Sequence, residues 1–344
     1  MNQVAQKKTL RLFVDENNLD TPSLARAASI LREGGTVAFP TETVYGLGAN
    51  ALDAAAVEAI FEAKRRPSWD PLIVHVANPQ QLHNVVSEIP SIGQLLMDAF
   101  WPGPLTLLLP KGATIPPIVT AGRARVGVRL PRHPVARRLI QLAGVPIAAP
   151  SANSFGRTSP TRAEFVLQDL DGRIDAIIDS GDTTLGLEST VVDVCEDPPI
   201  LYRPGMVTFD QIRAVVPHLI AYREVDVTGE PQAQPSPGVG LKHYSPRARL
   251  ILREWDLREL LRLATELKAG GELVGIMLPN ALDAASDYLV FPWGDWADPE
   301  QLARRLFAGL RELDLAGASI ILCPLPENEG LGVAMRDRLL KAAR

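Results

Sequence analysis

The stretch TVAFPTETVYGLGANALDAAAVEAIFEAKRRPSWDPLIVHV, Thr36 to Val76, decides the fold. Thr36–Phe39 is a short apolar run ended by Pro40, the pattern of a buried strand. Asp53–Arg65 places Ala, Val, Ile and Phe on one face of a helix. Leu72–Val76 is a second apolar run. Strand, helix and strand in succession predict an α/β sheet, and the pattern continues on both sides. Upstream, Thr9–Val14 reads as a strand and Thr21–Glu33 as a helix, with Thr21 as N-cap and Pro22 at its first position. Downstream, Leu105–Leu109, Val126–Leu130, Ile147–Ala149, Ala176–Asp179, Thr190–Val194 and Ile200–Arg203 are strand-like, with helices over Pro134–Leu142 and Thr208–Val216. Several connections are too short for parallel crossovers, so the sheet is expected to be mixed in direction.

Regular signals stop between Pro217 and Pro246, where Pro231, Pro235, Pro237, Gly238 and Gly240 mark a linker with defined bends. It ends in Leu241-Lys-His-Tyr-Ser-Pro246, a polar and aromatic cluster suited to a functional loop. From Arg247 a second, smaller pattern begins. Strands are expected at Leu250–Arg253, Leu273–Leu278 and Ser319–Cys323, and helices at Leu257–Lys268, Asp298–Leu315 and Gly332–Ala342. The expected domains are 1–216, a linker over 217–246 and a small α/β domain over 247–344.

The chain has 344 residues, 46% apolar and 22% charged, enough for real cores and too apolar for wholesale disorder. Its net charge of −5 argues against a protein governed by nucleic-acid affinity. The average conceals a local asymmetry. From Ala99 to Ala163 there is no Asp or Glu, while Lys111 and eight arginines, from Arg123 to Arg162, fall there. Such a segment suits an anionic ligand or a solvated basic face about equally. Cys195 and Cys323 lie far apart without zinc spacing, so neither a disulfide framework nor a protein metal site is expected. The start of the chain lacks an apolar secretory core and no run is long enough to span a bilayer, so a cytoplasmic protein without membrane contact is expected.

No P-loop, Rossmann fingerprint, nucleophile elbow or His-Glu-x-x-His motif is present. A phosphate ligand would need another device. Pro40–Gly48 is dense in hydroxyls and glycines, and on composition alone it is an ordinary strand-to-helix turn. Lys64-Arg65-Arg66-Pro67 ends a helix with cations, which complements the macrodipole and also suits a polyphosphate. His75 alternates with Val74 and Val76; taken alone, it fits a structural role better than a functional one. Pro150–Gly156 leaves a buried run carrying Ser151, Asn153 and Ser154, a composition able to form an anion nest.

Together these segments resemble one family. Pro-Thr-Glu-Thr-x-Tyr-Gly-Leu-Gly at Pro40, Lys-x-Arg-Pro at Lys64, Pro-Leu-x-x-His at Pro71, Pro-Ser-Ala-Asn-x-x-Gly at Pro150 and Ser-Thr-Val-Val-Asp at Ser189 stand in the order of the YrdC/Sua5 family, the L-threonylcarbamoyladenylate synthases. The resemblance is dense over roughly residues 20–210, and the linker and trailing domain are similar to the longer Sua5 type. It implies a twisted open mixed sheet flanked by helices, followed by a smaller Rossmann-like α/β domain. It also implies an enzyme that joins L-threonine, bicarbonate and ATP, with Mg²⁺, into threonylcarbamoyl-AMP and pyrophosphate. The product would feed N6-threonylcarbamoylation of adenosine 37 in tRNAs reading codons that begin with A, through a downstream threonylcarbamoyl transferase. A weak contact with RNA is a further expectation.

By the same resemblance Lys64, Arg66, Ser151 and Asn153 form the catalytic tetrad around the phosphates. Asp70, Arg125, Ser159, Arg203 and His243 join Arg66 and Ser151 at ATP, and Thr43, His75, Arg129, Ala149 and Ser189 take threonine. Val239 stands where the family often has Met, and Asp70 where it often has Asn. The competing reading is a non-catalytic double-stranded RNA-binding module using the acid-free segment. A carbamoyl-phosphate-dependent maturation factor has no support, since no acylphosphatase-like or zinc-finger segment is present.

Overall fold

The computed structural model describes residues 8–222, 236, 243–279 and 288–344. Most of the predicted linker, including Pro231, Pro235, Pro237, Gly238, Val239 and Gly240, lies outside the described residues. The chain forms two compact units. The first comprises Met1–Phe155, Pro160–Thr183 and Glu188–Gly240; the second comprises Gly156–Ser159, Thr184–Leu187 and Leu241–Arg344.

In the first unit the described elements are β1 (Leu10–Phe13), α1 (Pro22–Arg32), β2 (Val37–Phe39), β3 (Gly46–Asn50), α2 (Ala54–Lys64), β4 (Ile73–His75), α3 (Ser91–Phe100), β5 (Leu105–Pro110), β6 (Arg125–Arg129), α4 (Pro134–Ala143), β7 (Ile147–Ala148), α5 (Ala163–Leu170), β8 (Ala176–Asp179), β9 (Thr190–Asp193), β10 (Ile200–Arg203), α6 (Phe209–Val215) and β11 (Ile220–Ala221). They make an eleven-stranded sheet in the order β1-β8-β2-β3-β7-β4-β6-β5-β9-β10-β11. Its direction is mixed, as the short connections required: β4 runs parallel to β6, while β7 is antiparallel to both β3 and β4.

Helices cover both faces. On one, α1 and α4 bury Leu24, Leu31, Val135 and Leu139 against Phe39 and Ile147. On the other, α2, α3, α5 and α6 bury Ile60, Leu96, Val166 and Ile212 against Leu47, Val74 and Val128. The helices start where short-range chemistry demands. Thr21 accepts the N–H of Leu24, and Asp53 accepts those of Ala55 and Ala56.

Four elements of the first unit depart from the sequence reading, one of them β11, a strand paired with β10 inside the stretch read as linker. Gly46–Asn50, taken as part of a turn, is a central strand. A Cβ at Gly48 would stand 2.7 Å from both Ile147 and Phe39, so glycine here serves close packing and not a turn. Helices α3 and α5 also lie outside the sequence reading, and neither has a side-chain cap.

The second unit contains β12 (Arg249–Glu254), α7 (Leu257–Ala269), β13 (Val274–Pro279), β14 (Leu289–Gly294), α8 (Pro299–Leu315), β15 (Ile320–Leu325) and α9 (Leu331–Ala342). Its four strands are all parallel, in the order β12-β15-β13-β14, the Rossmann-like arrangement. β14, which escaped the sequence reading, contains Pro292 and lies at the sheet edge, where a proline costs no ladder bond to a further strand. Two short excursions from earlier in the chain pack into this unit. Thr158 gives its carbonyl to the Arg311 guanidinium at 3.1 Å, and its hydroxyl donates to the Tyr244 carbonyl, also at 3.1 Å. The Tyr244 ring stacks on Phe307 with centroids 5.7 Å apart and lies 5.2 Å from the Arg338 guanidinium carbon.

Candidate functional site

The turn after β2 builds the first half of the site. Thr41 folds back on itself: its hydroxyl donates to the Val44 carbonyl at 2.7 Å and accepts the Thr43 N–H at 3.2 Å. That turn buries Glu42 and Thr43. Strand β6 supplies their partner, since Arg129 ends it and pairs in register with His75 at the end of β4. The Arg129 guanidinium donates from Nη1 to the Thr43 hydroxyl at 2.9 Å and from Nε to the Gly103 carbonyl at 3.3 Å. Its Nη2 lies 2.7 Å from Glu42 Oε1, an ion pair without hydrogen-bond alignment. Burial works against the Glu42 carboxylate, yet the neighbouring Arg129 charge holds it below the usual carboxylate range.

His75 faces the same side. Its ring meets the edge of Phe39 at 6.2 Å, and its Nδ1 is buried without a hydrogen-bond partner. Burial first, and then the Arg129 charge, pushes its pKa down to about 3, so the ring is neutral at any working pH. Ala149 follows β7 directly and donates its N–H to the Ile73 carbonyl at 2.9 Å, which places its backbone beside β4.

A second cluster gathers at the C-terminus of α2. Lys64 is buried and donates to the carbonyls of Asn153 and of Ser151, the latter at 2.6 Å. The amine thus gathers the Pro150–Phe155 loop, and Phe155 N–H returns a bond of 2.8 Å to the Lys64 carbonyl. Burial, then the nearby Arg66 charge, holds the Lys64 pKa well below its ordinary value. Arg65 takes a left-handed conformation with φ 54°, turning the chain out of the helix. Arg66 then bonds the carbonyls of Asp70 and Pro71 at 3.1 and 2.9 Å and pairs with the Asp70 carboxylate at 2.9 Å. Burial raises the Asp70 pKa, opposed by the fields of Arg66, Lys64 and Arg203.

Arg203, at the end of β10, donates to the Ser189 carbonyl at 2.8 and 3.1 Å and to its hydroxyl at 3.1 Å. The hydroxyl also lies 2.8 Å from that of Thr106. Gly205 makes this approach sterically feasible, because a Cβ there would lie 2.5 Å from the Glu188 carbonyl and the Thr190 nitrogen.

The first unit therefore brings together Thr43, His75, Arg129 and Ala149, and next to one another Lys64, Arg66, Asp70, Ser151 and Asn153, with Ser189 joined to Arg203. Arg125 is not among them. It begins β6 at the end opposite Arg129, is about a third exposed, and pairs with Glu196 at 3.2 Å and Asp193 at 3.6 Å. Ser159 and His243 are buried within the second unit, the His243 ring 5.6 Å from Tyr244. Sequence reasoning missed Glu42 and Thr106 as members of the site. Glu42 stood inside the quoted motif, and Thr106 was the one hydroxyl in the apolar run Leu105–Leu109.

Several cations of the acid-free segment pair with acids from elsewhere in the chain. Arg129 pairs with Glu42, Arg138 with Asp20, Arg162 with Asp182 and Arg157 with Asp314. Arginines so compensated do not form a stripe for a phosphate backbone. Among the described residues, no helix is long and apolar enough to cross a membrane, and no group of three or more His, Cys, Asp or Glu is arranged to hold a metal.

Comparison with known proteins agrees with the geometry. A family model covering Sua5, YciO and YrdC, described as telomere recombination, matches residues 29–205. A second, described as the C-terminal domain of threonylcarbamoyl-AMP synthase, matches residues 207–344. The chain is 45% identical to a threonylcarbamoyl-AMP synthase of Pyrococcus abyssi over 92% of its length and 93% of the relative's. It is 44% identical to that of Bacillus subtilis, over 98% of each. The crystal structure of P. abyssi Sua5 complexed with L-threonine is similar with a TM-score of 0.88 at 41% identity, over 97% of both chains.

Proposed function

The chain belongs to the Sua5/YciO/YrdC family, and we propose that it condenses L-threonine, bicarbonate and ATP into threonylcarbamoyl-AMP and pyrophosphate. It is an enzyme of the threonylcarbamoyl-AMP synthase type, and the comparisons favour that activity over an RNA-binding module. The observation that carries the chemistry is the pairing, in one unit, of a guanidinium fork beside a neutral imidazole with a separate group of buried cations. A zwitterionic amino acid suits the first and a polyphosphate the second.

In this reading Arg129 and Thr43 take the threonine carboxylate, while His75, Ser189 and the Ala149 backbone surround the amine and hydroxyl. The amine attacks bicarbonate, giving a carbamate and releasing water. A carbamate oxygen then attacks the α-phosphorus of ATP, forming the acyl–phosphate bond as the bond to pyrophosphate breaks. Charge develops over several oxygens, so positioning and fixed cations do the catalytic work in place of a strong nucleophile. Lys64 and Arg66 contribute positive charge, and Lys64, through the Ser151 and Asn153 carbonyls, shapes the loop around the phosphates. Asp70 holds Arg66, and Arg203 approaches from Ser189. Magnesium enters with ATP as part of the substrate. Ser159, His243 and Arg125 keep their ATP roles on the resemblance alone. The product would pass to a threonylcarbamoyl transferase acting on adenosine 37 of tRNA, in the cytoplasm.

The test is to incubate the purified protein with L-threonine, bicarbonate and Mg-ATP and identify the adenylate by mass. Product and pyrophosphate are expected only when all three are supplied. Pyrophosphate release without threonine would refute the reading.

A further inference from the structure

We propose that Glu42 is a positioning residue of this reaction: its ion pair with Arg129 aims the guanidinium fork at the threonine carboxylate. The inference rests on reading Arg129 as the carboxylate clamp.

A guanidinium has five N–H donors in one plane, so its orientation decides whether it grips a carboxylate with two bonds or one. The arginine stem has no orientation of its own at the end of a strand; its neighbours must impose one. Three groups do so here. The Gly103 carbonyl takes Nε in a long bond of 3.3 Å, and the neutral Thr43 hydroxyl takes Nη1 at 2.9 Å. Glu42 is the charged anchor, 2.7 Å from Nη2.

Glu42 is itself secured. Its Oε2 accepts the His133 backbone N–H at 3.4 Å. His133 directly precedes the ten-residue helix α4, so the carboxylate sits at the positive end of a helix. The Thr41 turn holds the Glu42 backbone from the other side. The anchor is thus tied to two elements that do not move with the Arg129 side chain.

The pair is buried, with Nη2 2.7 Å from Glu42 Oε1 and, among the described residues, without an aligned hydrogen bond. Buried donors in that state are expected to meet an acceptor. A substrate carboxylate supplies one, and Glu42 compensates the Arg129 charge in this buried setting.

Glu42→Gln keeps volume and acceptor oxygen but removes the charge. By calorimetry on the full chain, the Kd for L-threonine should rise on the order of 30-fold, the scale of losing a charged partner from a buried guanidinium. The Kd for Mg-ATP should stay within about twofold, since Lys64, Arg66 and Arg203 are untouched. Glu42→Asp retains the charge one methylene short and should lose less. Unchanged threonine affinity in Glu42→Gln, with Arg129→Ala abolishing binding, overturns the proposal but not the clamp. Normal threonine binding by Arg129→Ala overturns the clamp itself. A parallel loss of ATP and threonine affinity marks general damage and also overturns the positioning role. If circular dichroism shows that Glu42→Gln does not fold, Glu42→Asp decides: wild-type threonine affinity there refutes the geometric requirement.

Discussion

The neutral His75 has a consequence for stability that can be measured. In the folded chain it is 4% exposed, wedged between β4's neighbours with Phe39 at its edge and Arg129 in register beside it. Burial and that cation depress its pKa from 6.5 to about 3. The unfolded chain, with its ordinary pKa, takes up a proton that the folded chain refuses. The contribution is therefore complete above about pH 6.5 and is lost progressively as pH falls, down to the folded pKa near 3. At about pH 5 the unfolded imidazole is roughly 1.5 pH units below its pKa, which costs the folded state about 2 kcal/mol. Urea unfolding of the full chain at about pH 7.5 and about pH 5 measures the total loss. The same pair of measurements on His75→Gln removes this one titration, and its loss should be smaller by about 2 kcal/mol. Other carboxylates and imidazoles contribute equally to both proteins and cancel. Equal losses in the two proteins, or an NMR titration of the His75 ring with a midpoint near 6.5, would refute the buried, neutral assignment. The functional corollary is that any acid limb of the activity between about pH 7 and pH 5 arises from groups other than His75.

Two further outcomes follow from the geometry. Lys64→Ala or Arg66→Ala should lower the rate of adenylate formation at least ~100-fold while the circular dichroism spectrum persists; turnover at the wild-type rate would remove both residues from the phosphate site. Gly205→Ala places a Cβ 2.5 Å from the Glu188 carbonyl and the Thr190 nitrogen, against backbone that has little room to yield. It should cost about 2–4 kcal/mol and lower Tm; an unchanged melting curve would mean the Ser189–Arg203 contact is looser than described.

Much of the site was legible because its parts are local. The hydroxyl-rich turn at Thr41–Thr43, the cation pair Lys64 and Arg66, and the Ser151–Asn153 loop are contiguous segments whose composition declares them. Glu42 was passed over although it stood between two recognised threonines. A buried acid looks like any surface acid until its counter-ion is known, and Arg129 is remote in sequence. Thr106 was hidden similarly, as one hydroxyl in an apolar strand whose partner Ser189 directly precedes β9, the neighbour of β5.

What the sequence determined by itself is the α/β class, the capped helices, the two-part pattern and the motifs that mark the family. Those signals act over a few residues: alternation, a capping oxygen, a proline stop. Which charges meet was decided only by the tertiary structure. Arg125 and Arg129 share one strand and one face, and the nine cations of the acid-free segment, these two included, looked alike. Sheet order separates them. The end of β6 beside β4 brings Arg129 to Glu42 and Thr43 in a buried setting, whereas its beginning leaves Arg125 about a third exposed beside Glu196. Electrostatic environment depends on neighbours in space and on exclusion of water, and a linear pattern specifies neither.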